Sequence, residues 1–213
     1  MLTAVTKQRT PYVRAVLRFV ASVMMVSGAL LIADAGLTLA WQEPISAYTA
    51  GREQNKLEKQ LVKLPAKKVR DKKERAELKG DAIARIELPA IHKTTVVVEG
   101  TDTGSLRKGP GHYPKTPLPG EGGTVGVAGH RTTYGAPFRT VDKLDPGEHI
   151  VVKMPYGELD YKVEKTQIVD PDATWITDRV KGPERLVLSA CHPLYSASQR
   201  IVVFARLVNA RVT

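Results

Sequence analysis

The sequence predicts an all-β domain that follows a single membrane-length helix. Three observations predict it. Residues 81–213 break into short apolar or β-branched runs separated by Gly and Pro. Residues 19–33 form one uncharged apolar run. Almost all of the net charge of +10 lies before residue 81. Many short strands with few helices indicate an antiparallel barrel or sandwich. Closure into a barrel would remove the edges that such strands otherwise expose.

Taken in order, residues 1–18 carry Lys7, Arg9, Arg14 and Arg18 and no acid, a basic tail. Phe19 to Ala33 lacks any charge and, with Asp34 tolerated, the apolar run reaches Trp41. About 23 residues suffice to cross a bilayer core of about 30 Å. The preceding basic residues favour a cytoplasmic N-terminus, and Trp41 suits the far interface. Ala33-Asp34-Ala35 also resembles a signal-peptidase site, so a cleaved secretory leader is the alternative. Under either reading the remainder lies outside the cytoplasmic membrane. Residues 42–80 read as a basic stalk. Leu57, Leu61 and Leu64 give a short helical stripe that Pro65 interrupts, and residues 67–79 form a charged run suited to a solvated spacer.

In the third part, Ala82–Leu88 alternates with period two and stops at Pro89. Residues 94–99, 124–128, 149–154, 159–169, 186–189 and 201–208 are the other strand-like runs, seven in all. Residues 109–120 read as a Gly/Pro loop, and residues 138–144 and 172–179 as short helical turns.

The charge distribution excludes an obvious nucleic-acid binder. Residues 51–80 hold eleven Lys/Arg against five Asp/Glu but no aromatic residue, so no base-stacking platform exists there. Residues 81–213 carry a net charge of only +2. No Cys/His/Asp spacing makes a zinc site and no carboxylate cluster makes a calcium loop, so neither metal nor other cofactor is expected.

The chemistry-bearing residues are Cys191, His130 and Arg200. Cys191 is the single cysteine, so an internal disulfide is impossible. It ends the run Leu186-Val187-Leu188-Ser189-Ala190 and precedes His192-Pro193. His130 ends the run from Gly123 to Gly129 in the same manner. Arg200 follows Cys191 by nine residues, which suits a loop between antiparallel strands. A thiol with an ordinary pKa near 8.5 is mostly protonated at neutral pH and needs a partner to ionise it. A nearby histidine meets that need as an ion-pair partner or as a general base. Arg200 can bind an oxyanion or hold a substrate backbone. Arg131 and Arg206 are competing cations at less suitable positions. His192 adjoins Cys191 but points to the opposite face of a strand, which favours a structural role over substrate contact. Tyr113 lies on the Gly/Pro loop, where a groove wall is expected.

An N-terminal anchor, a strand ending in Gly-His, Leu-x-x-Cys and an Arg on the next strand together resemble the sortase family. The stretches Gly109–Pro114, Ala128–Phe138 and Cys191-His192-Pro193 are most similar to class E sortases of high-GC Gram-positive bacteria. The resemblance covers about residues 81–210. It implies a closed eight-stranded β-barrel with short helices, the eighth strand lying near Ser105–Lys108. It implies His130, Cys191 and Arg200 as catalytic positions, with Tyr113, Tyr134, Ala190 and His192 as substrate contacts. It also implies a transpeptidase that cleaves an LPXTG-like sorting signal between Thr and Gly, class E members favouring Ala at the second place. Its partners would be surface proteins bearing C-terminal sorting signals and a lipid II-like wall-precursor amine. The sequence departs from the usual Thr-Leu-x-Thr-Cys, with Val187 and Ala190 in place of the threonines, so a hydroxyl just before the cysteine is lost. A peptidoglycan L,D-transpeptidase or another extracytoplasmic cysteine peptidase stays open as a second enzyme reading. A barrel that only binds wall peptides is the non-enzymatic one.

Overall fold

The computed structural model describes residues 11–40 and 44–212. They fall into two units, one up to Pro44 and one from Ile45 onward. The first holds one helix, α1 (Pro11–Ala40), which begins with proline, whose missing N–H suits a first helical position. Its stretch Tyr12–Leu37 is long and apolar enough to cross a membrane. Lys7, Arg9 and Trp41, assigned above to the tail and the far interface, lie outside the described residues.

The second unit is built on eight strands: β1 (Ala82–Leu88), β2 (Lys93–Glu99), β3 (Gly111–His112), β4 (Thr124–Gly129), β5 (His149–Met154), β6 (Gly157–Val169), β7 (Arg185–His192) and β8 (Gln199–Val212). They close into a barrel in the order β1-β2-β3-β4-β7-β8-β6-β5. Six pairs are antiparallel, but β2–β3 and β4–β7 are parallel, so the barrel is mixed. The expectation of an antiparallel barrel is corrected here, because the long excursion from β4 through β5 and β6 brings β7 back in the same direction. The alternating residues Val125, Val127, Leu159, Tyr161, Leu186, Leu188, Ile201 and Val203 fill the interior.

The eighth strand is not near Ser105–Lys108. That stretch holds a helical turn, Thr103–Leu106, capped by Asp102 Oδ1, which accepts from the Gly104 and Ser105 amides. The missing strand is β3, only two residues long, inside the Gly/Pro loop. A side chain at Gly111 would collide with the Gly100 carbonyl, so glycine is required where β3 meets β2. Because β3 is so short, Val96 on β2 lacks a strand partner on that side. The amide of Gln54 fills the gap: its Oε1 accepts from Val96 N at 2.7 Å and its Nε2 donates to Val96 O at 3.2 Å.

Gln54 belongs to α2 (Pro44–Lys63), inside the segment expected to be a solvated stalk. Leu57 of α2 is buried against Ala82, Val96 and Val98. Further on, Val69 and Leu78 enter the main core. Most charged side chains here are exposed as expected, with Arg75 buried, but an apolar seam fixes residues 45–80 to the barrel. Each such buried side chain is worth about 2 kcal/mol.

Candidate active site

The parallel pairing of β4 with β7 sets Val127 beside Leu188, Ala128 beside Ser189 and Gly129 beside Ala190. One step further, His130 leaves β4 next to Cys191. The antiparallel pairing of β7 with β8 sets Cys191 opposite Arg200. Three adjacent chain positions at one rim thus carry an imidazole, a thiol and a guanidinium, on strands about 4.8 Å apart. Alternation fixes their face. Leu186, Leu188 and Ala190 belong to the interior cluster, as do Ile201 and Val203. Cys191 and Arg200 therefore lie on the outer surface, and both are half-buried.

The loop after His130 is tightly closed. Phe138 N donates to His130 O at 3.0 Å. A Cβ at Gly129 would lie 2.5 Å from the Phe138 ring, so only glycine permits this approach. Tyr134 and Ala136 both adopt left-handed backbone, with φ of 51° and 40°. The Tyr134 ring lies 5.1 Å from that of His130, inclined at 47°. The Tyr134 amide donates to Ser46 Oγ on α2 at 3.2 Å. His130 Nε2 is buried and has no hydrogen-bond partner among the described residues. Burial pushes the His130 pKa below its ordinary value, which favours the neutral ring.

Arg200 is held from its own loop: Nη1 donates to the carbonyls of Ala197 and Gln199, each at 2.9 Å. Nε and Nη2 have no protein acceptor among the described residues. Arg131, read from the sequence only as a competitor, is 3% exposed and acts as a clamp. Its Nη1 lies 3.3 Å from His192 Nδ1, its Nε and Nη2 donate to Arg139 O, and Nη2 pairs with Asp142 at 2.8 Å. Arg131 and His192 are the residues immediately after His130 and Cys191, so this contact ties the two strand ends together. Nothing in the spacing of single residues signals it; only the parallel register does.

The expected substrate contacts divide. Tyr134 stands beside His130. Tyr113 lies over Gly126, where a Cβ would come 2.6 Å from its ring, on the same outer face of β4 as Ala128 and His130. His192 is engaged by Arg131. The Ala190 methyl is buried in the barrel core, so only its backbone faces outward. Sequence reading did not foresee the roof of this face. The 3-10 turn Thr174–Thr177 buries Ile176 against Val187, Val202 and Phe204, and stacks Trp175 on Phe204 at 6.2 Å. The turn itself was legible, but its docking place was not. Among the described residues, no group of three or more His, Cys, Asp or Glu side chains is placed to hold a metal ion.

A closed mixed barrel with a cysteine, a histidine and an arginine on neighbouring strand ends defines a class of barrel proteins built around one rim thiol. Residues 86–208 match the sortase domain, and the chain belongs to the sortase family, whose members are cysteine transpeptidases. Sortase D of Bacillus subtilis is 35% identical over 133 residues, covering 61% of this chain and 66% of that protein. Sortase SrtE1 of Streptomyces coelicolor is 31% identical over 147 residues, covering 62% of this chain and 42% of that protein. The matched parts are thus less than two thirds of these relatives' lengths. The crystal structure of Sortase E1 from Streptomyces coelicolor with a tripeptide in the active site superposes with a TM-score of 0.60 at 30% identity, covering 62% of this chain and 91% of that one. These similarities support the class E resemblance, which extends to a class D relative as well.

Proposed function

We propose that this protein is a cysteine transpeptidase anchored by α1, with its barrel outside the cytoplasmic membrane, and that Cys191, His130 and Arg200 perform the chemistry. The observation that carries this reading is the register that aligns Gly129 with Ala190 and Cys191 with Arg200. His130 takes the Cys191 proton, and the thiolate adds to the carbonyl carbon of the scissile Thr. The developing oxyanion is met by the Nε and Nη2 donors of Arg200. The C–N bond breaks, the leaving Gly amine takes the proton from His130, and a thioacyl enzyme remains. An incoming amine attacks that thioester, losing a proton to His130, and Cys191 departs as thiolate to be reprotonated.

The acyl donor in this reading is a sorting signal of the LAXTG or LPXTG type on a surface protein, and the acceptor is a wall-precursor amine. The presence of a tripeptide in the active site of the Streptomyces coelicolor relative supports peptide binding on this face. The test is to incubate the full chain in detergent micelles with fluorogenic LAXTG and LPXTG peptides and a Gly-peptide amine. Cleavage after Thr with ligated product, absent in Cys191→Ala, is the expected result. Turnover of a peptidoglycan tetrapeptide alone would favour the L,D-transpeptidase reading instead.

A further inference from the structure

At the end of β4 remote from His130 lies a cavity of about 790 Å³. Gly123 and Thr124 line it, about 20 Å along an extended strand from His130. Arg75 lines it with a side chain only 8% exposed, and Arg75 Nη1 has no hydrogen-bond partner among the described residues. The nearest acid, Glu121, places Oε1 at 3.5 Å, an ion-pair separation, while its Oε2 accepts from Leu118 N at 2.8 Å. A buried guanidinium N–H without an acceptor is costly, and the cavity in front of it leaves room for one. Lys72, Lys115 and Arg179 also line the cavity, are exposed, and have no ion-pair partner among the described residues. Against them stand Asp178, Glu121, which is paired with Arg75, and Glu99, which lies 3.0 Å from His112. Four cations thus face three acids around a buried guanidinium nitrogen that has no hydrogen-bond acceptor among the described residues.

Between this cavity and His130, side chains pack on the outer face of β4. Thr177 lines the cavity and also covers Gly126, where a Cβ would meet it at 3.2 Å. Tyr113 covers the same glycine. An extended peptide reacting at Cys191 and running in the direction of β4 crosses over Tyr113 and Thr177, which cover Gly126, within about four residues. The two or three residues before those reach the cavity.

We propose that this cavity is a second substrate site, which takes an acidic side chain of the protein substrate some five to seven residues before the scissile bond. The proposal rests on the transpeptidase reading for its register along β4. A carboxylate supplies the acceptor that Arg75 lacks, and the planar fork of the guanidinium matches it. The rim cations attract the acidic segment at longer range.

The test uses the full chain in micelles and two fluorogenic peptides with one sorting signal. One carries three Glu at the fifth to seventh positions before the scissile bond, and the other carries three Gln. The Glu peptide is expected to show a kcat/KM about threefold or more above the Gln peptide at low salt, and the advantage should shrink at about 0.5 M salt. Lys115→Ala/Arg179→Ala should remove the advantage without changing the Gln peptide. Arg75→Gln should do the same, and the exposed double variant keeps the test valid where a change at Arg75 prevents folding. Equal processing of both peptides, or an advantage that survives both variants, overturns the proposal. Binding to Cys191→Ala, read by fluorescence anisotropy, separates this proposal from the catalytic one. Tighter binding of the Glu peptide that the rim variants abolish supports the site even where no peptide is cleaved. Equal binding, or preference for a glycerol-phosphate polymer over the Glu peptide, overturns it.

Discussion

Cys191 and Arg200 face each other on β7 and β8, one rung before the last pair of that ladder, His192 with Gln199. The loop between them is short, and its carbonyls at Ala197 and Gln199 hold one nitrogen of the arginine. The guanidinium is therefore fixed from the side of the loop, with two donor nitrogens left for a ligand at the thiol.

This arrangement predicts that Arg200→Lys will not substitute. A lysine has a single nitrogen, so an ammonium held at the loop carbonyls has no separate donor edge to place at the thiol as Nε and Nη2 do. The expected loss in kcat is about 10²-fold or more for both Lys and Ala. Steady-state kinetics on a sorting peptide checks it, and Lys activity near wild type would refute the role.

His130 titration should be visible in both stability and rate. Its folded pKa lies below the ordinary 6.5 because burial penalises the charged ring. Above about 6.5 the ring is neutral in both states and contributes nothing. Below that, the unfolded chain takes up a proton that the folded chain resists, so stability falls as pH drops, and the decline ends below the folded pKa. The expected result is a loss of stability on acidification that is smaller in His130→Gln, measured by urea unfolding at pH 7.5 and at lower pH. The acid limb of kcat/KM should likewise lie below 6.5.

Gly129→Ala should damage both fold and site. Its methyl would press on the Phe138 ring at the point where the loop returns to His130. The expected cost is about 1–3 kcal/mol, the range for overpacking, together with lower kcat. Thermal unfolding and kinetics on one preparation check both.

Leu57→Ala should lower the stability of the barrel unit by about 2–4 kcal/mol, because the leucine is buried against β1 and β2. A solvated stalk would show no change. Urea unfolding followed by tryptophan fluorescence distinguishes them.

Arg131→Met should lower kcat while leaving Cys191 reactive toward alkylating reagents. It removes the contact with His192 and the pair with Asp142 that hold the two strand ends together. Arg131→Lys should restore part of the activity, since the charge near Asp142 returns.

Much of this was legible because β-strands write their faces with period two. Ala82–Leu88 and residues 159–169 carry that alternation, while the runs that end at Cys191 and begin near Arg200 are continuous apolar stretches buried on both faces. Register was not legible: that Gly129 pairs with Ala190, in parallel, depends on a crossover through β5 and β6 that no local pattern encodes. β3 escaped because two residues cannot show a period, and its glycine reads as loop. The docking of α2 escaped although its stripe Leu57, Leu61 and Leu64 was visible, because the charged residues around the stripe read as a solvated spacer and the Gln54 contact with Val96 has no sequence signal. Arg131 escaped because its partners lie on distant segments, and Ala190 was read as a contact when alternation turns its methyl inward.

The most direct test of the central claim is intact-mass analysis of the full chain after brief incubation with an LAXTG peptide and no acceptor amine. The account predicts an adduct of the peptide through Thr on Cys191, discharged when a Gly-peptide amine is added. A chain that stays unmodified, while its Cys191 still reacts with iodoacetamide, would contradict it.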